Sequence, residues 1–369
     1  MLTNLKISGF RGFVHLRMEG LKRVNLLVGA NNAGKTSILE AAELLAMGAP
    51  KSLFRSPQRR GEEAVSFVEE DRPLGPAGTA LDLSHMFHGH SIHPGVRFSI
   101  EGDGSPQGPY RVDVVSGSID ADGPEGEVPL PIPGLEPLGP DLALKVRSTS
   151  ISRPTRIKIS ADGFVSQDTR RRLSEPSLKA ETKVQFLGTD KVDDYRLGFL
   201  WDGVVLTAEE GKVIEALKLI EPGIERLAFL SDSRRFNRRS IALKMTGAEQ
   251  RIPLGSAGDG LKRLLALALH LISSSEGFLF VDEIDTGLHF NVMFNMWKLL
   301  IETAKRLNVQ VFATTHSLDC VQALAQVWDK LPDCKEDVAV HRVERNLEST
   351  SSFTIQEINT ATRSHIEVR

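Results

Sequence analysis

The sequence predicts an α/β fold organised around a nucleotide-binding loop, on three observations. Gly29-Ala30-Asn31-Asn32-Ala33-Gly34-Lys35-Thr36 satisfies G-x-x-x-x-G-K-[ST]. It lies between Val24 to Val28, an apolar run that reads as a buried strand, and Ser37 to Met47, whose apolar residues recur at helical spacing. Phe278 to Val281 is a second apolar run and ends in the adjacent acids Asp282 and Glu283. Val309 to Ala313 is a third, followed by Thr314-Thr315-His316-Ser317. Open α/β sheets bind ligands beyond the carboxyl ends of their strands, which is where all three polar groups fall.

Each group implies chemistry. Glycines in such a loop let successive backbone N–H groups turn toward one anion, and the helix N-terminus adds partial positive charge. Gly29, Ala30, Asn31, Asn32, Ala33, Gly34 and Ser37 are therefore expected to cradle phosphate, with Lys35 on the β- and γ-phosphates and Thr36 on Mg²⁺. Asp282 would share the magnesium, and Glu283 would accept a proton from the attacking water. His316, at a strand end, is placed to sense the γ-phosphate. Leu254 to Gly260, rich in small residues, precedes an apolar helix from Leu261 to Ile272. Alone it reads either as an anion-binding nest or as an ordinary glycine-rich helix entry. Phe290, Met293, Phe294, Trp297, Leu300 and Ile301 form a helical stripe that reads as core.

Composition bounds the partners. The 369 residues, 41% hydrophobic and 25% charged, suit a globular protein with a large core. A net charge of -3 gives no global pull toward nucleic acid or anionic membrane. The two cysteines, Cys320 and Cys334, have neither metal-ligand spacing nor the density of a disulfide scaffold, and no apolar run approaches a membrane span or a signal-peptide core. A cytoplasmic location without membrane insertion is expected.

In chain order, Leu2 to Ile7 and His15 to Met18 read as a hairpin turning at Gly9 to Gly12 and lying beside the nucleotide strand. Arg11 in that turn is either phosphate-directed or solvated. Pro50 to Arg72, basic in its first half, reads as a surface excursion. Leu81 to Met86 returns to apolar character, and strands are expected at Val96 to Ile100, Tyr110 to Val115, Leu142 to Val146 and Thr155 to Ile159. Glycine and proline between Gly102 and Pro140 exclude a long helix, and no sustained heptads mark a coiled-coil arm. Thr169 to Arg172 and Arg234 to Arg239 are dense basic clusters, each a solvated face or a nucleic-acid contact. Thr207 and Glu210 form a capping-box pattern before a helix ended by Pro222, and Leu227 to Leu230 and Ile241 to Met245 return to strand. The expected divisions are an N-terminal lobe over 1–101, an insertion over 102–225 and a C-terminal lobe over 226–369.

The order of phosphate loop, small-residue loop plus helix, Asp-Glu strand and Thr-Thr-His-Ser resembles the ATP-binding-cassette ATPases. KISGFRGF, PLGSAGDGLKRLL, FVDEIDTGLH, VQVFATTHSLDC and the terminal IEVR resemble the stand-alone bacterial ATPases related to the overcoming-lysogenization-defect proteins, kin of SMC and DNA-repair heads. The resemblance implies a Mg-dependent ATPase head with a β-rich, loop-rich insertion between phosphate loop and signature. It implies a homodimer or larger homo-oligomer formed on ATP binding, with Ser256 and Gly258 of one head touching nucleotide held by the other. Asp285 would lie in the loop crossing that interface, and Arg11 would contact nucleotide. The signature departs from LSGGQ, and a glutamine for the loop after the first lobe is missing, with His85 or His88 in its region. The resemblance further implies an ATPase without its own Toprim nuclease, a separately encoded effector, nucleic acid among the candidate partners, and service in antiviral defence. The alternative within the class is the nucleotide-binding subunit of a membrane transporter.

Overall fold

The computed structural model describes residues 1–65, 79–116, 142–151, 153–173, 182–190, 193–231, 239–345, 347–353, 357, 358 and 360. The first elements are strands β1 (Asn4–Phe10), β2 (Phe13–Glu19) and β3 (Val24–Val28), then helices α1 (Lys35–Met47) and α2 (Arg55–Arg59). Strands β4 (Glu63–Val65), β5 (Thr79–Asp82), β6 (Arg97–Glu101), β7 (Tyr110–Ser116), β8 (Leu142–Arg147), β9 (Thr155–Ile159) and β10 (Phe164–Val165) follow. Next come α3 (Gln167–Leu173), β11 (Val184–Leu187), α4 (Asp194–Asp202), α5 (Ala208–Leu217), β12 (Ile224–Ser231), β13 (Arg239–Met245) and β14 (Ile252–Pro253). The chain closes with α6 (Asp259–Ser273), β15 (Phe278–Val281), α7 (Phe290–Arg306), β16 (Gln310–Thr314), α8 (Leu318–Lys330), β17 (Val338–Arg342) and β18 (Ser351–Phe353).

Two compact units result, one from Met1, Glu19–Leu39 and Thr182–Arg369, the other from Leu2–Met18 and Glu40–Glu181. The first is built on a six-stranded sheet of order β11-β15-β16-β3-β17-β18, parallel except at the β18 edge. Strands buried on both faces read as unbroken apolar runs, and every residue of β3, β15 and β16 is buried. The core packs this sheet against α5 to α8, with Trp297, Leu265, Leu279 and Val311 all 0% exposed. The α7 stripe is core as expected at Met293, Trp297, Leu300 and Ile301, whereas Phe290 at its start is exposed. A smaller sheet, β12-β13-β14, leads into the loop before α6.

The second unit centres on an antiparallel sheet of order β2-β1-β6-β7-β8-β9, with a three-stranded sheet, β10-β5-β4. Its core is aromatic, Phe98 standing edge-on to both Phe10 and Phe87 at centroid distances of 5.2 Å. Three expectations are corrected here. The β1–β2 hairpin does not flank the nucleotide strand, because both edges of β3 are taken by β16 and β17. The division at 101 cuts a continuous sheet, since β6 pairs with β7, and β11, expected within the insertion, is an edge strand of the parallel sheet. Pro50 to Arg72 is not a surface excursion over its described part. Ser52, Leu53, Phe54 and Ser56 are buried, and the basic residues serve buried acids of α1: Arg60 Nε donates to Glu40 at 2.8 Å, and Arg59 and Arg55 pair with Glu43. Acids three residues apart on a helix share a face, and burying that face requires cations. Among the described residues, no helix is long and apolar enough to cross a membrane.

Candidate nucleotide-binding and hydrolysis site

The phosphate loop leaves β3 at Gly29, where φ is 147° and an added Cβ would lie 2.4 Å from the carbonyl oxygen of Val343, so only glycine fits. Asn32 at φ 62° and Gly34 at φ 98° take the left-handed turns that redirect the backbone. Helix α1 starts at Lys35 without an acid in its first turn, so its N-terminal partial positive charge is not offset there. Lys35 Nζ donates to the carbonyls of Gly29 at 2.7 Å and Ala30 at 2.9 Å. Burial lowers its pKa, while Asp282 and Glu283 pull it back up.

Strands β15 and β16 bring their polar ends to the same edge, because they pair with each other and β16 pairs with β3 in parallel register. Thr36 Oγ1 lies 3.0 and 3.2 Å from the two carboxylate oxygens of Asp282, and Thr314 Oγ1 donates to Asp282 at 2.6 Å. A hydroxyl and a carboxylate are hard oxygen donors, and neighbouring ligands of an octahedral Mg²⁺ at about 2.0–2.1 Å stand about 2.9 Å apart. Thr36 and Asp282 therefore fit magnesium. Glu283 sits at φ 46°, an uncommon conformation for a residue with a Cβ. It is held by its N–H on Thr314 Oγ1 at 2.8 Å, with its carboxylate 3.5 Å from His316 Nδ1 and 3.4 Å from Thr286 Oγ1. Thr315 Oγ1 donates to Asp285 at 2.5 Å and ties the two strand ends together one step further out.

Lys35, Thr36, Asp282, Glu283 and His316 thus come together in the first unit. Ser256 closes a 3₁₀ turn and Gly258, at φ 96°, caps α6; both are exposed, and neither hydrogen-bonds to the phosphate loop among the described residues. Arg11 is directed otherwise than expected. It is 5% exposed, its Nε lies 2.7 Å from Glu40, and its terminal nitrogens donate to Glu62 at 3.0 Å and Ser56 Oγ at 2.7 Å. Its guanidinium neutralises the acid of α1 beside it. His88 Nδ1 meets the Arg11 carbonyl at 3.0 Å, and His85 pairs with Asp82 and His90. In the first basic cluster, Arg170 is buried against Glu63; Arg234 to Arg238 lie outside the described residues.

Arg263 escapes the motif reading. Only 6% exposed, it donates from α6 to the carbonyls of Gly188 at 2.5 Å, Asp282 at 2.8 Å and Glu283 at 3.1 Å. The available signal was an arginine four and seven positions before Leu267 and His270, on a stripe that is buried.

Two AAA-domain family models match: one described as "AAA domain, putative AbiEii toxin, Type IV TA system" over residues 150–319, the other as "AAA domain" over 4–127. An ATP/GTP phosphatase of Helicobacter pylori is 23% identical over 346 residues, covering 89% of this chain and 88% of that protein. The DNA replication and repair protein RecF of Nitrosococcus oceani is 38% identical over 84 residues, 21% of this chain and 22% of RecF. The Smc head with an extended coiled coil from Pyrococcus furiosus aligns at a TM-score of 0.48 and 12% identity, over 99% of both chains. With AAA-domain models matching residues 4–127 and 150–319, and the phosphate loop, the Thr36–Asp282 pair and Glu283 gathered at one edge of the parallel sheet, the chain is a P-loop ATPase with an α/β fold.

Proposed function

We propose that this ATPase is a molecular switch that closes head to head on a second copy of itself when ATP binds, reopens on hydrolysis, and signals to a separate effector in a bacterial DNA-related or defence system. The observation that carries the reading is the carboxylate of Glu283, one residue beyond the Thr36–Asp282 pair and 3.5 Å from His316. In this arrangement the loop N–H groups and Lys35 would hold the β- and γ-phosphates, and Thr36 and Asp282 would hold magnesium, which when bound would neutralise charge on the transferred phosphoryl group. Glu283 takes the proton of the attacking water, and His316 fixes the carboxylate and faces the γ-phosphate. Ser256 and Gly258, exposed and unbonded to their own loop, are available to complete the nucleotide site of a second copy. The names of the relatives support a DNA-related setting, and the description of the family model as a putative toxin supports a defence role.

The test is light scattering of Glu283→Gln with Mg-ATP, alongside Lys35→Ala. Loss of one positioned base lowers turnover by about 10²–10⁴, so Glu283→Gln should accumulate as a nucleotide-bound dimer and Lys35→Ala should not. If Glu283→Gln stays monomeric with ATP and hydrolyses as fast as the parent, the switch reading is wrong.

A further inference from the structure

The outer face of the six-stranded antiparallel sheet plays no part in the site above. Along β6 to β9, residues that alternate with the buried apolar ones line up in register across the strands. One row runs Arg97, Asp113, Lys145, Arg156, and the next runs Ser99, Arg111, Arg147. Lys158 stands on β9 opposite Ala143. Lys145 is partly exposed and the other five cations are exposed. On β6 to β9, six cations thus share the face with two carboxylates, Glu101 and Asp113, in a chain whose net charge is -3.

Two features set this face apart from an ordinary solvated sheet. Arg111 lies directly opposite Arg147; like charges so placed destabilise a sheet unless an anion lies over them. Glu101 and Asp113 offset part of this, at 2.6 Å from Arg111 and 3.3 Å from Arg147, but such exposed pairs contribute little. Arg97, Asp113, Lys145 and Arg147 also line a shallow, open depression on the face.

We propose that this face docks the phosphate backbone of duplex DNA. Strands about 4.8 Å apart and same-face residues about 6.7 Å apart spread the cations over a flat area, and a duplex presents one negative charge per about 1.7 Å of its axis. The outward positions of β6 to β9 carry no aromatic ring on which unpaired bases could stack, which favours duplex over single strand. Apart from Ala143 the one apolar side chain among them is Val115, which is partly buried and too small to anchor in a bilayer. The preference for DNA over RNA rests on the DNA-related setting proposed above. The docking itself does not rest on nucleotide hydrolysis, since all six cations belong to the second unit and the hydrolytic residues to the first.

The experiment is fluorescence anisotropy of a labelled duplex of about 30 base pairs with the full chain, without nucleotide. Arg111→Gln/Arg147→Gln/Arg156→Gln is compared with the parent and with Lys298→Glu, an exposed cation of α7. The parent and Lys298→Glu should bind alike, and the triple variant at least about tenfold more weakly, with a salt slope shallower by about 0.9 for each lost phosphate contact. The triple variant should melt no lower than the parent, because it removes a like-charge pair. If it does unfold, the three single variants should each weaken binding about twofold, roughly a third of the effect in free energy. The proposal is overturned if the parent does not bind duplex DNA, if folded variants bind as the parent does, or if duplex RNA, single-stranded DNA or anionic vesicles bind more tightly than duplex DNA.

Discussion

Replacing Arg263 by methionine keeps the length of the side chain and removes its three hydrogen bonds to the carbonyls of Gly188, Asp282 and Glu283. Hydrogen bonds from a charged donor contribute about 1.5–3 kcal/mol each, but burying the guanidinium costs much of that. Its lowered pKa reflects the cost of burial, opposed by the attraction of Asp282, Asp285 and Glu283. Counting only the three carbonyls left unpaired, at about 1 kcal/mol each, Arg263→Met should lose about 3 kcal/mol of stability. The larger effect falls on turnover. Glu283 at φ 46° stores strain that Arg263 and Thr314 hold from two sides, and a carboxylate misplaced by about 1 Å costs about 10² in rate. Urea titration and single-turnover hydrolysis should therefore show a destabilised protein that binds nucleotide within a few-fold of the parent yet hydrolyses about 10² more slowly. Turnover within threefold of the parent at unchanged stability would refute the assignment of Arg263 as a positioning residue.

Glu40→Gln removes a carboxylate that is 1% exposed, forms an ion pair with Arg11 Nε at 2.7 Å and accepts from Arg60 Nε at 2.8 Å. Leaving these cations short of a partner should cost about 3 kcal/mol, read as a lower urea midpoint; an unshifted midpoint would show that Glu62 alone suffices for Arg11. His341, 0% exposed on β17, has its pKa pushed down to about 4 by burial, against about 6.5 when unfolded. Between those values the unfolded chain binds a proton that the folded chain does not, so stability falls as pH drops through that window, by up to about 3 kcal/mol. His270, also near 4, acts in the same direction. His341→Leu should flatten the dependence of unfolding free energy on pH between about 6.5 and 4, and a slope equal to that of the parent would contradict this source of acid sensitivity.

The grouping of Lys35, Thr36, Asp282, Glu283 and His316 was legible in the sequence because these residues lie beside fully buried strands whose apolar runs announce themselves, and because the loop chemistry leaves few substitutes for Gly29, Lys35 or Thr36. The packing partners were not. Arg263 reads as one more charge in an apolar helix, since its three acceptors are backbone carbonyls that carry no sequence signature. The reverse happened at Arg59 and Arg60, which look like surface charge until Glu40 and Glu43 are known to be buried. Arg11 failed for the same reason: its turn was foreseen, but the destination of its guanidinium depends on acids 29 and 51 residues away. Sheet membership was also hidden. Strands β6 to β9 were placed nearly to the residue, whereas β4 and β10 were not foreseen, and pairing β6 with β1 and β7 is a long-range choice that alternation alone leaves open. At Thr207 the cap was read correctly and its detail was not: Glu210 accepts the N–H of Leu206, one residue before the cap.

Helix α6 gives Glu283 a mechanical link to the exposed loop before it. At its first turn, a Cβ on Gly260 would lie 2.6 Å from the carbonyl oxygen of Gly287, so the helix start and the segment after Glu283 meet backbone to backbone. One turn later Arg263 grips the carbonyls of Asp282 and Glu283 themselves. Thr315 then ties Asp285 to the end of β16, and Glu283 is bound to Thr314 on the same strand. Close-packed contacts of this kind have no slack to absorb a shift at Ser256 and Gly258. Whatever binds that loop acts on Glu283 only by as much as it prefers one position of α6 over another. A neutral residue at 263 separates the two effects, because the backbone contact at Gly260 survives while the grip on Glu283 is lost. Ligand-induced changes at Ser256 and Gly258 would then persist without a change in the rate of hydrolysis.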